Sequence, residues 1–241
     1  MKTALLLSAG GMFGAWQAGA WKALGEVFRP DVVIGASAGA LNGWAIAGEC
    51  PPGELAEQWL DPRLQALRPF GAGPLEKRVR ELFQTWSPKI PYAVTAVQVP
   101  QLRLRLFRGE EITWRHLMAA CALPVAYPPV RIERKWYVDG GLLGALPLWA
   151  AAEMGAARVV ALDALPLLPS RTIRALAQAL RWLRPAPPRP AGLEIVRVTP
   201  SRPLGSLRDA ILWDRETVRR WIQLGEDDIK LGLCRSSGSI A

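Results

Sequence analysis

With 241 residues, half of them hydrophobic, the chain can bury one sizeable core; its 22 glycines and 21 prolines are scattered over turn positions, which excludes a disordered or collagen-like chain. A net charge of +9 suits an anionic membrane or substrate as readily as an ordinary arginine-rich surface, and with no nucleic-acid-binding motif and no zinc-type spacing, neither nucleic acid nor a metal is expected. Cys50, Cys121 and Cys234 are odd in number and far apart, so no disulfide framework follows and reduced thiols in the cytoplasm are expected.

Thr3 to Ser8 is a short apolar run closed by glycines; it reads as a buried strand and is too short for a signal peptide. Gly14 to Phe28 has helical periodicity, with Trp16, Ala20, Ala23, Leu24 and Val27 near one face. Asp31 to Ile34 is a second buried strand that runs through Gly35-Ala36-Ser37-Ala38-Gly39 into an apolar small-residue helix, Ala40 to Ala47. This strand–helix–strand–helix opening implies a parallel sheet. After Pro51-Pro52, Glu54 to Leu60 and Leu75 to Phe83 read as helices, within a stretch from Cys50 to Pro91 that would serve as a lid or a substrate wall.

Tyr92 to Val99 and Leu102 to Phe107 read as strands, the second half exposed because Leu alternates with Arg. Thr113 to Ala122 is a short helix, and Lys135 to Val138 a strand that delivers Asp139-Gly140-Gly141. Pro147 to Met154 reads as a helix and Arg158 to Leu162 as a buried strand. Arg171 to Leu183 is helical; with Arg174, Arg181 and Arg184 beside a leucine face it would suit peripheral contact with an anionic membrane, or an ordinary outer helix. Pro185 to Pro190 is an extended linker, Leu193 to Val198 a last strand, and Asp214 to about Lys230 a C-terminal helix capped by Asp214 and supported by Glu216 and Arg220. No apolar run reaches membrane-spanning length.

Three short segments carry chemistry. Gly35-Ala36-Ser37-Ala38-Gly39 fits the G-x-S-x-G elbow, in which a sharp strand-to-helix turn exposes a nucleophilic hydroxyl; a tight structural turn is the competing reading. Ala9-Gly10-Gly11-Met12-Phe13-Gly14 follows the first strand and could offer backbone N–H groups to an oxyanion or to a dinucleotide phosphate. The nucleotide reading is remote, because position 9 is Ala and Asp31 precedes the second strand where an acid at its end is required. His116 is the single histidine and no histidine follows Ser37 in the order a Ser–Asp–His triad needs, so it reads as structural. Asp139-Gly140-Gly141 then supplies the best carboxylate for a proton acceptor, against the plain reading of an Asp-Gly turn.

Together, in this order and after these strands, the glycine-rich loop at 9–14, the elbow around Ser37 and Asp139-Gly140-Gly141 resemble the patatin-like phospholipase family. Ala120-Cys121-Ala122-Leu123-Pro124, Tyr127-Pro128-Pro129-Val130 and Tyr137-Val138 before the aspartate extend the resemblance over roughly residues 3 to 165. The resemblance implies an α/β fold: a three-layer α/β/α sandwich with a mainly parallel central sheet. It would be one acyl hydrolase domain over residues 1–241, ending in a strand and helix within 193–230. It further implies a Ser37–Asp139 dyad that needs no histidine, metal or cofactor and acts on a lipid or other acyl ester. Ser37 would attack the carbonyl, Asp139 take its proton, and amides near Gly10, Gly11 and Met12 hold the oxyanion, with Ala9, Phe13, Gly14, Gly35, Gly39, Gly140 and Gly141 as supporting positions. The family often has a basic residue where this chain has Phe13 and Gly where it has Ala9. Phe13 is therefore expected to tune head-group preference or loop rigidity, and a lipid-binding protein with weakened catalysis is the alternative reading.

Overall fold

The apolar runs assemble, in the computed structural model, into one eight-stranded mixed sheet. The structure describes residues 1–124, 126–166 and 192–235, with side chains through 232. The helix expected at Arg171 to Leu183 and the linker at Pro185 to Pro190 lie outside the described residues.

The strands are β1 (Thr3–Leu7), β2 (Val32–Gly35), β3 (Tyr92–Val99), β4 (Arg103–Arg108), β5 (Val130–Ile132), β6 (Lys135–Asp139), β7 (Arg158–Leu162) and β8 (Glu194–Val198). The helices are α1 (Gly14–Val27), α2 (Ala38–Ala47), α3 (Pro52–Trp59), α4 (Ala72–Thr85), α5 (Trp114–Ala120), α6 (Leu148–Glu153), α7 (Leu207–Ile211) and α8 (Arg215–Arg235). The sheet order is β5-β6-β3-β2-β1-β7-β8, with β4 also paired to β3. From β3 through β2, β1 and β7 to β8 the pairing is parallel; β4 and β6 on β3, and β5 on β6, are antiparallel.

Ala4 to Leu7 of β1 are fully buried, as a central parallel strand covered on both faces must be. Their side chains alternate between two layers. Leu5 and Leu7 join the core formed with α1, α2 and α8, while Ala4 and Leu6 pack with Trp149 and Ala150 of α6 on the other face. The result is the expected α/β/α sandwich.

The apolar stripe on α1 understates its burial. Every residue from Gly14 to Trp21 is buried, because α8 crosses the side that periodicity leaves to solvent. A Cβ at Gly19 would strike the Ile222 carbonyl, and one at Gly225 the Trp16 carbonyl, so the two helices touch backbone to backbone. Val27, placed by pattern on the apolar face, is 51% exposed at the helix end. Asp214 caps α8 by accepting the Thr217 N–H at 2.9 Å, but Glu216 pairs with Arg219 rather than Arg220. The short strand β5 and the five-residue helix α7 had no counterpart in the sequence reading. No helix among the described residues is long and apolar enough to cross a membrane.

One feature of the topology brings distant residues together. β3 spends one edge on β4, which pairs along Ala93–Gln98. Its other edge is shared: β2 ends with Gly35 beside Val94, and β6, arriving from the opposite direction, ends with Asp139 beside Ala96. The carboxyl ends of β2 and β6 therefore meet nearly end to end, separated by the width of Thr95.

Candidate active site

Ser37 sits where β2 turns into α2, with φ 54° and ψ −129°. A non-glycine residue in this region stores roughly 1–3 kcal/mol of strain. It is held there by tight packing on both sides. A Cβ at Gly39 would lie 2.5 Å from the carbonyl oxygens of Leu7 and Ser8, and one at Gly35 would run into Ala40. The two glycines of the elbow thus let α2 start directly against the ends of β1 and β2. Ser37 occupies the N-cap position of α2, yet its hydroxyl makes no capping bond. It lies close enough to the Asp139 carboxyl to lower that group's pKa.

Asp139 is 3% exposed. Its N–H donates to the Ala122 carbonyl at 3.0 Å, and its Oδ1 accepts the Gly141 N–H at 2.7 Å. Burial pushes the carboxyl up to about 6, against the smaller lowering effects of the Ser37 hydroxyl and the Gly141 N–H. Gly140 fits flush on the Thr95 backbone, and Gly141 meets Ala9, so the aspartate loop abuts the glycine-rich loop. The Ala9 methyl is accommodated in that contact, and the Ala9 N–H donates to Ala145 at 2.8 Å.

The glycine-rich loop leaves β1 beside the elbow, because β1 and β2 are parallel neighbours with Leu7 opposite Gly35. Gly11, with φ +56°, opens a 3-10 turn through Phe13 that leads into α1. Both ends of the loop are tied to one buried polar pair. The Gln17 amide donates to the Ser8 carbonyl at 2.8 Å, and the Asn42 amide donates to the Gly14 carbonyl at 2.9 Å and to Gln17 Oε1 at 3.1 Å. Asn42 Oδ1 in turn accepts the Trp59 indole N–H at 2.9 Å. Since Asn42 lies on the elbow helix, this chain of bonds locks the loop and the elbow to one frame.

Ser37, Asp139, Gly10, Gly11, Met12 and Gly141 line one cavity of about 270 Å³. Ala38 lines it too; as the first residue of α2, its N–H has no acceptor one turn back and is a further donor beside Ser37. Above this floor the wall is mostly apolar: Leu55 of α3, Leu64, Leu75 and Leu82 of α4, and Ala210 and Ile211 of α7. The 50–91 region is therefore a wall of the cavity. Among the described residues no cluster of His, Cys, Asp and Glu could hold a metal.

Two expectations resolve differently. Phe13 does not line the cavity: it is 2% exposed and meets Trp221 of α8 edge to face at 5.1 Å. The turn aims the ring into the α1–α8 core, so an effect of Phe13 on the site would run through the packing of the loop rather than through contact with the cavity. His116 keeps its structural reading. Its Nδ1 accepts the Thr113 N–H at 3.0 Å, closing the cap of α5, and its ring packs on Phe107. Burial lowers its pKa, which keeps the ring neutral.

Ser37, Asp139 and the loop, singled out in the sequence, are brought together in one cavity, whereas Gln17, Asn42, Ala38, Arg78 and α7, which adjoin them, have no counterpart as parts of the site in the sequence analysis. Gln17 and Asn42 did carry a signal, as lone polar residues within apolar helical faces.

A family model described as patatin-like phospholipase matches residues 5–152. The chain is 28% identical over 180 residues to patatin-like phospholipase domain-containing protein 6 of Homo sapiens, and 26% identical to patatin-like phospholipase domain-containing protein 7 of Rattus norvegicus. Each match covers 66% of this chain but 13% of the relative, so the chain spans only a small part of those proteins' length. Among solved structures, VipD from Legionella pneumophila has a similar fold, with a TM-score of 0.58 at 13% identity over 97% of this chain and 67% of that one.

Proposed function

The chain belongs to the patatin-like phospholipase family, and from that membership we propose that it is a serine hydrolase of lipid acyl esters working through a Ser37–Asp139 dyad within one domain. The observation that carries this reading is a strained elbow serine whose hydroxyl meets a buried carboxyl at the floor of a leucine-walled cavity.

In the proposed reaction Ser37 Oγ attacks the ester carbonyl while Asp139 takes the hydroxyl proton. A carboxyl poised at about 6 is mostly ionised at neutral pH and still basic enough for the transfer. Charge developing on the carbonyl oxygen is met by backbone N–H groups of the Gly10–Met12 loop and of Ala38, aided by the start of α2. The C–O bond to the alcohol breaks as Asp139 returns the proton to the leaving oxygen, and the acyl group stays on Ser37. Water then attacks the acyl-enzyme, Asp139 accepts its proton, and collapse frees the fatty acid as the proton passes back to Ser37 Oγ. The leucine wall suits an acyl chain, which loses apolar surface to water on entering.

A fluorophosphonate probe followed by mass-spectrometric mapping tests the assignment. Label should fall on Ser37, and Ser37→Ala should abolish both labelling and hydrolysis of p-nitrophenyl esters while the protein stays folded. Undiminished labelling of Ser37→Ala would refute the dyad.

A further inference from the structure

The largely apolar wall holds two polar side chains, Gln58 and Arg78, of which only Arg78 is charged. Leu75, Arg78 and Leu82 follow one another along the face of α4 that lines the cavity, so Arg78 stands where the helical pattern asks for a third leucine. It is the one cationic side chain among the described residues that line the cavity. Its side chain is 22% exposed, against 66% for Arg63 and 46% for Arg80, and burial pulls its pKa down. Placing a guanidinium in such a site is unfavourable unless something compensates it.

The compensation inside the protein is thin. Arg78 Nη2 donates to the neutral Gln58 amide at 3.2 Å, and Nη1 stands 3.9 Å from Glu81. Glu81 is shared with Arg63 at 3.4 Å, and the nearby Asp61 is taken by Arg63 at 2.7 Å. A guanidinium has five N–H donors in a planar fork that matches phosphate or carboxylate oxygens.

We propose that Arg78 is a subsite for an anionic group of the substrate, so that the cavity selects acyl esters carrying a phosphate over neutral glycerides. This rests on the serine-hydrolase reading for the reaction but not for the binding. An amphiphile would place its ester at Ser37, its chain among the leucines and its phosphate against Arg78, where Glu81 is the competing anion.

The test separates binding from turnover. In a Ser37→Ala background, two ligands without an ester, a 1-O-alkyl lysophosphatidate and the matching alkylglycerol, are titrated against tryptophan fluorescence; Trp59 lines the cavity. Inorganic phosphate is a third arm, and its failure to compete at millimolar concentration would show that the lipid-borne group is what binds. Arg78→Gln should lower the preference for the phosphate-bearing ligand over the neutral one by about ten- to hundredfold, the worth of a charge-assisted bond. Arg78→Lys should restore part of it, and Glu81→Gln, which removes the competing carboxylate, should raise it. An unchanged preference in Arg78→Gln and Glu81→Gln, both folded by thermal melting, would overturn the subsite. If Arg78→Gln does not fold, Glu81→Gln and Arg78→Lys still decide the matter. Wild type that shows the preference in binding but hydrolyses no ester would retain the subsite and sink the serine chemistry.

Discussion

At the floor of the cavity, Gly35, Gly39 and Gly140 bring main chain against main chain, whereas the wall raised by α3 and α4 is made of leucine side chains at helical spacing. The floor tolerates no added atom: a methyl group at Gly39 would lie 2.5 Å from two carbonyl oxygens. The wall asks only for apolar bulk, and its one charged member, Arg78, departs from that pattern. On the proposed reading, chemistry resides in the floor and specificity in the wall. Groups that must meet a reacting atom within tenths of an ångström are fixed by backbone and buried polar bonds, while groups that receive a flexible chain can vary in shape.

If that division is right, the largest effect comes from the floor. Asp139→Asn should lower the rate at least ~10³-fold, since base and positioning are both lost. In wild type, kcat/KM should rise with pH through about 6, where Asp139 gives up its proton, and then level off. The same carboxyl should work against stability. Raised from 3.8 to about 6, it binds a proton more readily in the folded chain than in the unfolded one. Its contribution is therefore best at low pH and is lost as pH rises through that window, by about 3 kcal/mol in all. Asp139→Asn, inactive, should melt above wild type at pH 8 and lose that advantage toward pH 4. A variant that melts below wild type at both pH values would count against a costly buried charge.

The next effect tests whether the buried amides serve the floor or merely the fold. Asn42→Ala cuts the tie between Gly14, Gln17 and Trp59. A loop displaced by a fraction of an ångström should lower kcat roughly ten- to hundredfold with KM within a fewfold. Gln17→Ala should act in the same direction through Ser8. Loss of thermal stability with kcat intact would assign both amides to the core alone.

The two regions were also unequally legible in the sequence. The floor is written in glycines at fixed short spacings around Ser37, Asp139 and the loop, because only glycine lets main chain approach so closely. The wall is written in leucines, and Leu75 and Leu82 look the same whether they face a core or a cavity. The packing of Phe13 is hidden from the sequence for a related reason. Which way a side chain points from a short turn depends on what packs over it, and that partner, Trp221, comes from the far end of the chain. The meeting of β2 and β6 on one edge of β3 is likewise a product of strand pairing between distant segments, which no local pattern encodes.

Wall variants should show a smaller and differently shaped response. Leu82→Ala enlarges the cavity on the α4 side and should shift the preferred acyl length while leaving fluorophosphonate labelling of Ser37 within about threefold, as a change of binding without a change at the reacting atoms would. A loss of labelling of the size expected for Asn42→Ala would erase the distinction between floor and wall.

The smallest effect is expected at His116, which belongs to neither region. It neither lines the cavity nor faces Asp139; its Nδ1 accepts the Thr113 N–H and so supplies the third-position half of a capping box at the start of α5. Glutamine at that position reaches back to the same N–H in many helices, so His116→Gln preserves the cap. What it gives up is the ring contact with Phe107, at 4.4 Å between centroids, worth about 0.5–1.5 kcal/mol. A modest drop in melting temperature with hydrolysis retained across the neutral range is therefore expected. Because burial holds the imidazole neutral, its removal should leave the acid limb near pH 6 in place, where the limb belongs to Asp139. Disappearance of that limb in a folded His116→Gln would transfer the base from the floor to α5.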